Sequence, residues 1–446
     1  MHIDNTEQMT DKKSVGIISL GCDKNRVDTE KMLAILSQRH IITNDIENAE
    51  VLIVNTCAFL ESSRKEAVEE ILTCIDLKNR GFAQKIIVTG CLPQRFLSEI
   101  IDELPEVDAF LGVSDYLSIN SVIDKIYLGE RVNVVGAPRQ ECGTERKLTT
   151  STYAYLKIAD GCSNHCTYCL IPSIRGKFRS VPTEDLVKEV KGLGKVKELI
   201  LVAQDTTSYG KDLTPETDIV KLLRVLTALK NVEGIRLLYC YPENITDELI
   251  HEIKSNAKII RYLDIPFQHA DDKILKLMNR KGTGEDYLKL IEKLKREIPG
   301  IAIRSTFITG FPQETEQEFS NLLNFIEKAK LFNAGFFKYS KEQGTASYKL
   351  SGHVPEGEKT KRIKKLYALQ KKVVKHNYKE LINKTFKVKA EGFDSDRIMY
   401  YGRPYFFAPD IDGTVFFFSG DQVDNGEYYD VKITSYDGYD LYGEIL

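Results

Sequence analysis

Three cysteines lie close together in one segment of the chain, Gly161-Cys-Ser-Asn-His-Cys-Thr-Tyr-Cys169, directly after a run of residues typical of a strand. The C-x3-C-x2-C spacing of Cys162, Cys166 and Cys169 lets three thiolates surround one face of an iron–sulfur cubane, which leaves one iron without a protein ligand. A zinc site is the alternative, but zinc normally needs a fourth ligand nearby, and His165 lies inside the tight loop itself. The spacing therefore favours a cluster with one open iron.

A second set of cysteines is dispersed in the sequence but equivalent in position. Cys22, Cys57 and Cys91 each lie one or two residues beyond the end of a predicted strand. Because the carboxyl ends of parallel strands meet at one edge of an α/β sheet, where ligands usually bind, we expect these thiols to converge. The alternative is three unrelated buried thiols, since free cysteine is among the most buried residue types. Three equivalent placements favour a second set of ligands.

The remaining cysteines indicate packing rather than chemistry. Nine cysteines in 446 residues are too few for a disulfide-dense scaffold, and their odd number excludes complete intramolecular pairing. Cys74 lies in a helical pattern, Cys142 lies in a polar linker, and Cys240 ends a strand at the core or rim.

The chain has no apolar run long enough to span a membrane, and its polar start differs from a signal peptide. We therefore expect a cytoplasmic protein without membrane association.

The first part of the chain, residues 13–135, is predicted to be a parallel α/β domain. Short apolar runs alternate there with amphipathic stretches, the pattern of a doubly wound parallel sheet. The predicted strands are Val15–Leu20, Glu50–Asn55 and Lys85–Thr89, and the predicted helices run from about Asp28 to Arg39 and from about Ser62 to Leu77.

A second βα series is predicted over residues 148–380, after a polar linker. About six βα units are too few for a closed eight-unit barrel, so a partial (β/α)6 barrel is expected. The predicted strands are Tyr153–Ala159, Glu198–Ala203, Gly234–Cys240, Ile259–Ile265, Ile301–Ile308 and Gly335–Ser340.

The end of the chain separates charge in an unusual way. A helix predicted over Glu356–Leu381 carries nine Lys and Arg against three Glu, a local charge of +6, and a solvated face is favoured over RNA contact. Residues 382–446 then show glycine turns and β-branched residues, which predict a small antiparallel β-barrel. This β module holds fifteen of the 42 Phe and Tyr of the chain and has a net charge of −6.

These motifs resemble the radical S-adenosylmethionine (SAM) methylthiotransferases, and the resemblance covers nearly the whole chain from Ser14. The C-x3-C-x2-C loop before a partial barrel, the three dispersed cysteines and the small TRAM-like β module together carry it. Within the family, the segments Ser19–Glu30, Cys166–Arg179 and Leu263–His269 look like the branch that modifies a ribosomal protein. Phe267 departs from the pattern, because a smaller aliphatic residue is common there, and we expect this change to be neutral.

The resemblance implies a reaction and its cofactors. The enzyme would insert a methylthio group at the β-carbon of one aspartate in the twelfth protein of the small ribosomal subunit, free or within the ribosome. One 4Fe–4S cluster on the loop cysteines would reduce SAM to generate a 5′-deoxyadenosyl radical. A second cluster on the dispersed cysteines would carry the sulfur, which a second SAM molecule methylates. Flavodoxin or ferredoxin is the implied reductant, and the expected state is a monomer.

Five further residues are candidates for binding SAM, and no side-chain acid or base is assigned. Functional groups of barrel enzymes usually lie at the carboxyl ends of the strands, where several polar residues of this chain occur. Each of them has an alternative role in helix capping or packing. The candidates are Tyr168, between two loop cysteines, Gln204, Gln268, Arg304 and Lys338.

Two other functions remain possible from the residues alone. A sibling enzyme that methylthiolates a tRNA adenosine would share every cysteine. A module that binds tRNA should be basic, because phosphate contacts dominate such binding, whereas the net charge of −6 suits a cationic protein. The second alternative is a non-catalytic iron–sulfur or zinc protein that binds ribosomes.

Overall fold

The computed structural model describes residues 12–139 and 145–446 of the chain, so Cys142 lies outside the described residues. The chain divides into two compact units. Unit 1 consists of Met1–Lys147 together with Ser173–Gly176, and unit 2 consists of Leu148–Pro172 together with Lys177–Leu446. Within the described part of the chain, no helix has the length and apolar character needed to cross a membrane.

Unit 1 contains a sheet of six parallel strands in the order β2-β1-β3-β4-β5-β6, which confirms the predicted parallel α/β fold. Every residue of the central strand β3 is buried, as its continuous apolar sequence suggests for a strand covered on both faces. The elements are β1 (Ser14–Ser19), α1 (Asp23–Ser37), β2 (Ile41–Ile42), β3 (Val51–Thr56), α2 (Glu61–Asn79), β4 (Lys85–Gly90), α3 (Cys91–Ile100), β5 (Ala109–Leu111), α4 (Ile119–Tyr127) and β6 (Val132–Val134).

Two helices of unit 1 differ from the sequence prediction, α1 in its start and α3 in being present. Helix α1 starts at Asp23 rather than near Asp28, because its polar first turn is held by tertiary hydrogen bonds instead of an apolar stripe. Asn25 donates from Nδ2 to the backbone oxygens of Leu20, at 3.0 Å, and Thr56, at 2.9 Å. Helix α3, which the sequence did not indicate, starts at Cys91. Both helix N-termini therefore lie directly beside cysteines.

The sheet of unit 2 has six parallel strands in the order β14-β13-β12-β11-β10-β7 and remains open, as expected for a partial barrel. Phe267 lies in its core, fully buried, with ring centroids 4.7 Å from Tyr287 and 5.9 Å from Phe325. The elements are β7 (Ala154–Lys157), β8 (Ala159–Asp160), α5 (Ile171–Ile174), β9 (Arg179–Ser180), α6 (Thr183–Gly192), β10 (Leu199–Val202), α7 (Ile219–Thr227), β11 (Ile235–Leu237), α8 (Asp247–Ser255), β12 (Ile259–Asp264), α9 (Asp272–Leu277), α10 (Gly284–Glu297), β13 (Ala302–Thr309), α11 (Glu316–Ala329), β14 (Asn333–Lys338) and α12 (Glu356–Lys379).

Helix α12 is the predicted basic helix, and it is not simply a solvated face. Lys359 and Arg362 are buried, and each charge has a partner in unit 2. Lys359 donates from Nζ to the backbone oxygen of Tyr339 at 2.9 Å, and Arg362 pairs with Glu314 at 3.0 Å. Part of the +6 charge therefore stabilises the packing of this helix.

The carboxyl-terminal module is a closed five-stranded barrel in the order β15-β16-β17-β19-β18. The β17–β19 pair is parallel, whereas the other pairs are antiparallel. A buried charge cluster joins this barrel to the sheet of unit 2, because Glu198 contacts Arg236 at 2.6 Å, Lys389 at 2.5 Å and Arg403 at 3.0 Å. The strands are β15 (Thr385–Asp394), β16 (Met399–Arg403), β17 (Val415–Phe418), β18 (Tyr428–Asp437) and β19 (Asp440–Ile445).

Candidate iron–sulfur sites

The loop that carries Cys162, Cys166 and Cys169 follows β8 and is held by the turn after α9. Thr167 donates from its backbone nitrogen to the oxygen of Met278 at 3.1 Å and from its hydroxyl to the oxygen of Leu277 at 2.7 Å. Asn279 donates from Nδ2 to the backbone oxygen of His165 at 3.0 Å. His165 has a positive φ of 53°, so the loop is tightly curved. These contacts fix the loop in the absence of regular secondary structure.

The loop thiols lie close enough to interact electrostatically. Burial, together with smaller contributions from the neighbouring thiols of Cys166 and Cys162, raises the pKa of the Cys169 thiol to about 12. The backbone N–H of Ile171 opposes this shift by donating to the Cys169 sulfur at 3.5 Å. Burial also raises the pKa of the Cys162 thiol. Only the thiolate is a metal ligand, so this site needs a bound cation to keep its sulfurs ionised.

A buried carboxylate just beyond the end of strand β10 supports the same loop. Asp205 is buried and accepts from Asn164 Nδ2 at 2.8 Å, and Asn164 lies between the first two loop cysteines. The same carboxylate accepts from the hydroxyls of Ser208 at 2.7 Å and Thr207 at 2.9 Å. Asp205 therefore links the end of a barrel strand to the cysteine loop.

Tyr168 and Arg280 flank Cys166. Tyr168 packs against an apolar group that includes Met278 and Phe311. Burial raises the pKa of Tyr168 well above its ordinary value, and Cys166 raises it further while the guanidinium of Arg280 lowers it. Arg280 stacks over Tyr241 at 4.0 Å from the ring centroid, and its Nε has no hydrogen-bond partner among the described residues. Sequence reasoning missed Arg280, because nothing in its local pattern distinguishes it from a surface arginine.

The dispersed cysteines lie at the carboxyl edge of the sheet in unit 1. Cys22 precedes the first residue of α1, Cys57 follows β3, and Cys91 is the first residue of α3. The loops are closely packed, since a Cβ added to Gly21 would lie 2.7 Å from the Cβ of Cys57 and 3.2 Å from its sulfur. The predicted convergence is therefore consistent with the packing of the Cys22 and Cys57 loops.

Mutual interactions place all three dispersed thiols in one neighbourhood. Burial raises the pKa of the Cys91 thiol to about 12, with smaller contributions from Cys57 and Cys22. Burial raises the pKa of Cys57 as well, and Cys22 adds to it. The N-termini of α1 and α3 favour negative charge at Cys22 and Cys91, because the positive end of a helix dipole stabilises an anion.

Gln204 contacts Asp160, which leads into the cysteine loop, whereas Gln268 is fixed through its backbone beside β13. Gln204 donates from Nε2 to Asp160 at 2.9 Å, and its buried Oε1 has no hydrogen-bond partner within the described residues. Gln268 follows β12 with a positive φ of 73°, and its backbone exchanges hydrogen bonds with Thr306 and Ile308. An orphaned buried oxygen beside the loop is suited to accept from a polar ligand such as SAM.

Arg304 and Lys338 are engaged with carboxylates of the chain itself. Arg304 donates to Asp264 at 2.8 Å and lies 3.7 Å from Asp412 of the β module. Lys338 pairs with Glu356 at the start of α12. Both side chains therefore already have anionic partners within the chain. Cys74 and Cys240 are fully buried, and Cys240 belongs to the main core of unit 2, as expected for packing residues.

The donor chemistry fits iron–sulfur clusters, although the side chains are not already arranged around a metal. Among the described residues, no group of three or more His, Cys, Asp or Glu side chains forms a ready coordination site. Each triad nevertheless offers three sulfur donors, in one loop or after three strands of one sheet, and sulfur is the ligand that such clusters use. The arrangement suits two cubanes with three protein ligands each.

Three family models match the chain. The radical SAM superfamily matches residues 156–326, the uncharacterized protein family UPF0004 matches residues 14–112, and the TRAM domain matches residues 382–446. The first match contains the loop cysteines, and the second contains the dispersed cysteines.

Three curated relatives that match nearly the whole chain have the same name. The ribosomal protein uS12 methylthiotransferase RimO of Acetivibrio thermocellus is 46% identical over 98% of this chain and 99% of its own length. The proteins of the same name from Clostridium botulinum (strain Eklund 17B / Type B) and Lachnoclostridium phytofermentans are 44% and 45% identical. These matches cover 97% and 96% of this chain, and 98% of each relative.

Solved structures share the fold. The radical S-adenosylmethionine methyltransferase TsrM from Kitasatospora setae, with cobalamin and a 4Fe–4S cluster bound, has a TM-score of 0.54 at 14% identity. That match covers 74% of this chain and 75% of TsrM. The cobalamin-dependent radical enzyme OxsB has a TM-score of 0.51 at 12% identity, over 81% of this chain and 56% of OxsB. At these identities the likeness concerns the fold alone.

Proposed function

The chain belongs to the family of ribosomal protein uS12 methylthiotransferases, and we propose that it inserts a methylthio group at the β-carbon of one aspartate of uS12. The observation that carries this proposal is identity of 44–46% over nearly the whole length of relatives with that name. The three domains of those enzymes are assigned to residues 13–135, 148–380 and 382–446.

The enzyme is a radical SAM methylthiotransferase that uses two 4Fe–4S clusters and SAM. We assign Cys162, Cys166 and Cys169 to the cluster that binds SAM, and Cys22, Cys57 and Cys91 to the auxiliary cluster. When bound, these groups supply the one-electron chemistry and the sulfur needed to replace a hydrogen on an unactivated carbon, which no side-chain acid or base can do.

The protein's own residues hold and orient the reacting groups. Asp205 and the turn Leu277–Arg280 fix the loop that carries three of the cysteines. We propose that Oε1 of Gln204, which has no partner among the described residues, accepts a hydrogen bond from SAM. We propose Tyr168 and Gln268 as further contacts. Arg304 and Lys338 are less suited to bind SAM, since each already forms an ion pair with a carboxylate of the chain. Fixed placement of reactants is a large part of such catalysis.

The β module is the proposed docking surface for uS12. Three aromatic side chains of the module are exposed and not buried in the barrel core: Phe393 is 51%, Phe418 63% and Tyr428 42% exposed. Residues 382–446 carry twelve Asp and Glu against six Lys and Arg. Exposed aromatic residues with surrounding negative charge suit a cationic protein partner better than a polyanionic tRNA.

The test supplies the reduced, cluster-loaded enzyme and SAM with isolated uS12, intact small subunits or tRNA in parallel reactions. We expect peptide mass spectrometry to find a methylthio group in place of one aspartate hydrogen of uS12, and none in a reaction with Cys57→Ala enzyme. Methylthioadenosine in the tRNA with unmodified uS12 would overturn the proposal in favour of the sibling activity. If the protein does not take up iron when its clusters are reconstituted, a zinc protein would be favoured instead.

The finer partner assignments follow from the same proposal. Flavodoxin or ferredoxin delivers the electrons, the enzyme acts as a monomer, and it works in the cytoplasm where ribosomes are made. Light scattering coupled to gel filtration tests the monomer. Replacing chemical reductant with reduced flavodoxin or ferredoxin in the uS12 reaction tests the donor, and product formed with neither of them would exclude both.

A further inference from the structure

One buried arginine, Arg175, contacts the dispersed cysteine set, although it follows the loop cysteines in the sequence. Ser173–Gly176 belong to unit 1, and Arg175 is only 2% exposed there. Its Nη2 donates to Asn25 Oδ1 at 2.6 Å, and Nη1 and Nη2 lie 3.4 and 3.3 Å from Asp28 Oδ2. The orientation of the guanidinium is therefore fixed by two partners on α1.

The same guanidinium reaches a cluster ligand. Arg175 Nη2 lies 3.8 Å from the sulfur of Cys91, within the range for a hydrogen bond to sulfur. Cys91 is only 6% exposed, so its thiolate would have little stabilisation from water. A cationic N–H donor held against the sulfur offsets this desolvation. Arg175 thus supplies a fixed cationic donor to a sulfur that would carry negative charge as a cluster ligand.

Asn25 extends this support to the other two cysteine loops. Its Oδ1 accepts from Arg175, and its Nδ2 donates to the backbone oxygens of Leu20 and Thr56. Leu20 lies two residues before Cys22, and Thr56 directly precedes Cys57. One hydrogen-bonded pair, Arg175–Asn25, therefore contacts each of the three dispersed cysteines or a residue within two positions of it.

We propose that Arg175 is a positioning residue of the auxiliary cluster, which holds the three cysteine loops through Asn25 and raises the reduction potential of the cluster through its N–H contact with the Cys91 sulfur. Reduction adds negative charge to a cluster, and hydrogen bonds to its sulfurs stabilise the reduced form. This inference rests on the proposed function, because it takes Cys22, Cys57 and Cys91 as the ligands of the auxiliary cluster.

The test measures the auxiliary cluster by itself in the full-length chain. A parent variant carrying Cys162→Ala, Cys166→Ala and Cys169→Ala lacks the loop cluster and should hold about four irons. Arg175→Met is added to this parent, and Arg139→Met is the matched control, since Arg139 belongs to unit 1 but has a side chain that is 57% exposed. The readouts are iron retained against a chelator and the reduction potential from a titration followed by electron paramagnetic resonance.

We expect Arg175→Met to retain iron about 10- to 100-fold less tightly, the usual cost of losing an outer-shell partner of a metal site. At a fixed solution potential its ratio of reduced to oxidised cluster should fall about tenfold, which corresponds to about 59 mV for one electron. Arg175→Lys keeps the charge but not the planar fork, so it should recover part of the potential. Arg139→Met should match the parent in both measurements.

The outcomes separate the two proposals. A parent variant that folds but holds no iron overturns the assignment of the auxiliary ligands and with it this part of the proposed function. A parent with its cluster intact, beside an Arg175→Met variant of unchanged potential and retention, overturns the role of Arg175 alone. If Arg175→Met fails to fold, Arg175→Lys decides, because a potential and an iron retention equal to those of the parent contradict the role of the fork.

Discussion

The backbone positions the two cysteine triads in different ways. Cys162, Cys166 and Cys169 come from one irregular loop, whose shape depends on contacts from the turn Leu277–Arg280 and on Asp205. Cys22, Cys57 and Cys91 come from three separate strand ends. Their spacing depends on the parallel register of β1, β3 and β4, in which Ser19 pairs with Asn55 and Thr56 pairs with Gly90.

This difference has a physical consequence for stability. A loop triad keeps its ligand spacing through covalent continuity, so local contacts only need to fix its conformation. A dispersed triad has no such continuity, and its ligands separate when the sheet that positions them opens. The dispersed triad should therefore depend on the stability of the whole of unit 1, and the loop triad on a few local hydrogen bonds.

Removing one ligand from each triad has the largest expected effect. Cys166→Ala should abolish cleavage of SAM as well as modification of uS12, because the open iron is lost with its cluster. Cys57→Ala should abolish modification but leave reductive cleavage of SAM measurable by chromatography of 5′-deoxyadenosine. Each variant should retain about half of an expected total of about eight irons. Cys74→Ala serves as the control and should retain all of them; SAM cleavage lost in both variants would contradict separate roles.

A core substitution in each unit tests the dependence on global stability. Ile53→Ala in β3 and Leu201→Ala in β10 both truncate fully buried side chains. Each should lower the free energy of unfolding by about 2–5 kcal/mol. In mild denaturant, Ile53→Ala should lose auxiliary iron first while SAM cleavage persists, because the sheet holds the dispersed ligands together. Equal loss of both activities in Ile53→Ala would show that the two triads do not differ in this respect.

Acidification should lower the free energy of unfolding of unit 2, because His269 is buried in its neutral form. Burial lowers the pKa of His269 to about 4, against an ordinary value of 6.5, and it lies among Asp271, Glu314, Glu318 and Arg362. Between pH 6.5 and about 4 the unfolded chain binds a proton that the folded chain does not, so the free energy of unfolding falls as the pH falls. The loss approaches about 3 kcal/mol at pH 4.

Chemical denaturation at several pH values measures this loss. His269→Gln should flatten the pH dependence of unit 2, whereas His251→Gln, at an exposed position, should leave it unchanged. Burial and Arg39 also lower the pKa of His40, so unit 1 has an acid sensitivity of its own that His269→Gln does not remove. An unaltered slope in His269→Gln would exclude His269 as the group responsible.

The sheets, and the positions of the cysteines at or just after strand ends, were predictable because they follow from local patterns. Continuous apolar runs marked the strands, and a cysteine just past a strand end can be placed at the sheet edge without knowledge of its side-chain contacts. The open six-stranded sheet and the closed β module were confirmed for the same reason.

The supporting charges were not predictable, because their partners are distant in sequence and carry no periodic signal. Glu198 is near Lys389 and Arg403 only after the β module has docked, and these cations then hold the pKa of Glu198 well below its ordinary value despite burial. Arg175 and Arg280 likewise look like surface residues in the sequence. The start of α1 was misplaced because tertiary bonds from Asn25, and not an apolar stripe, stabilise its first turn.

The smallest expected effect comes from the local support of the loop triad. Asp205→Asn keeps the shape of the side chain but removes the carboxylate that accepts from Asn164, Ser208 and Thr207. The loop cluster should be retained about 10- to 100-fold less tightly, while auxiliary iron is unchanged. Iron loss against a chelator, followed together with SAM cleavage, measures the effect.

The control for this change is a neighbouring carboxylate, Asp212, which accepts from Ser180 rather than from the cysteine loop. Asp212→Asn should retain the loop cluster normally. Combining Asp205→Asn with Asn164→Asp restores an amide–carboxylate pair of reversed polarity and should recover part of the lost retention. Recovery would locate the effect in the contact with Asn164. The opposite result is a double variant that retains loop iron no more tightly than Asp205→Asn, together with a loss of auxiliary iron. The loop triad would then depend on the stability of the whole fold, as the dispersed triad does.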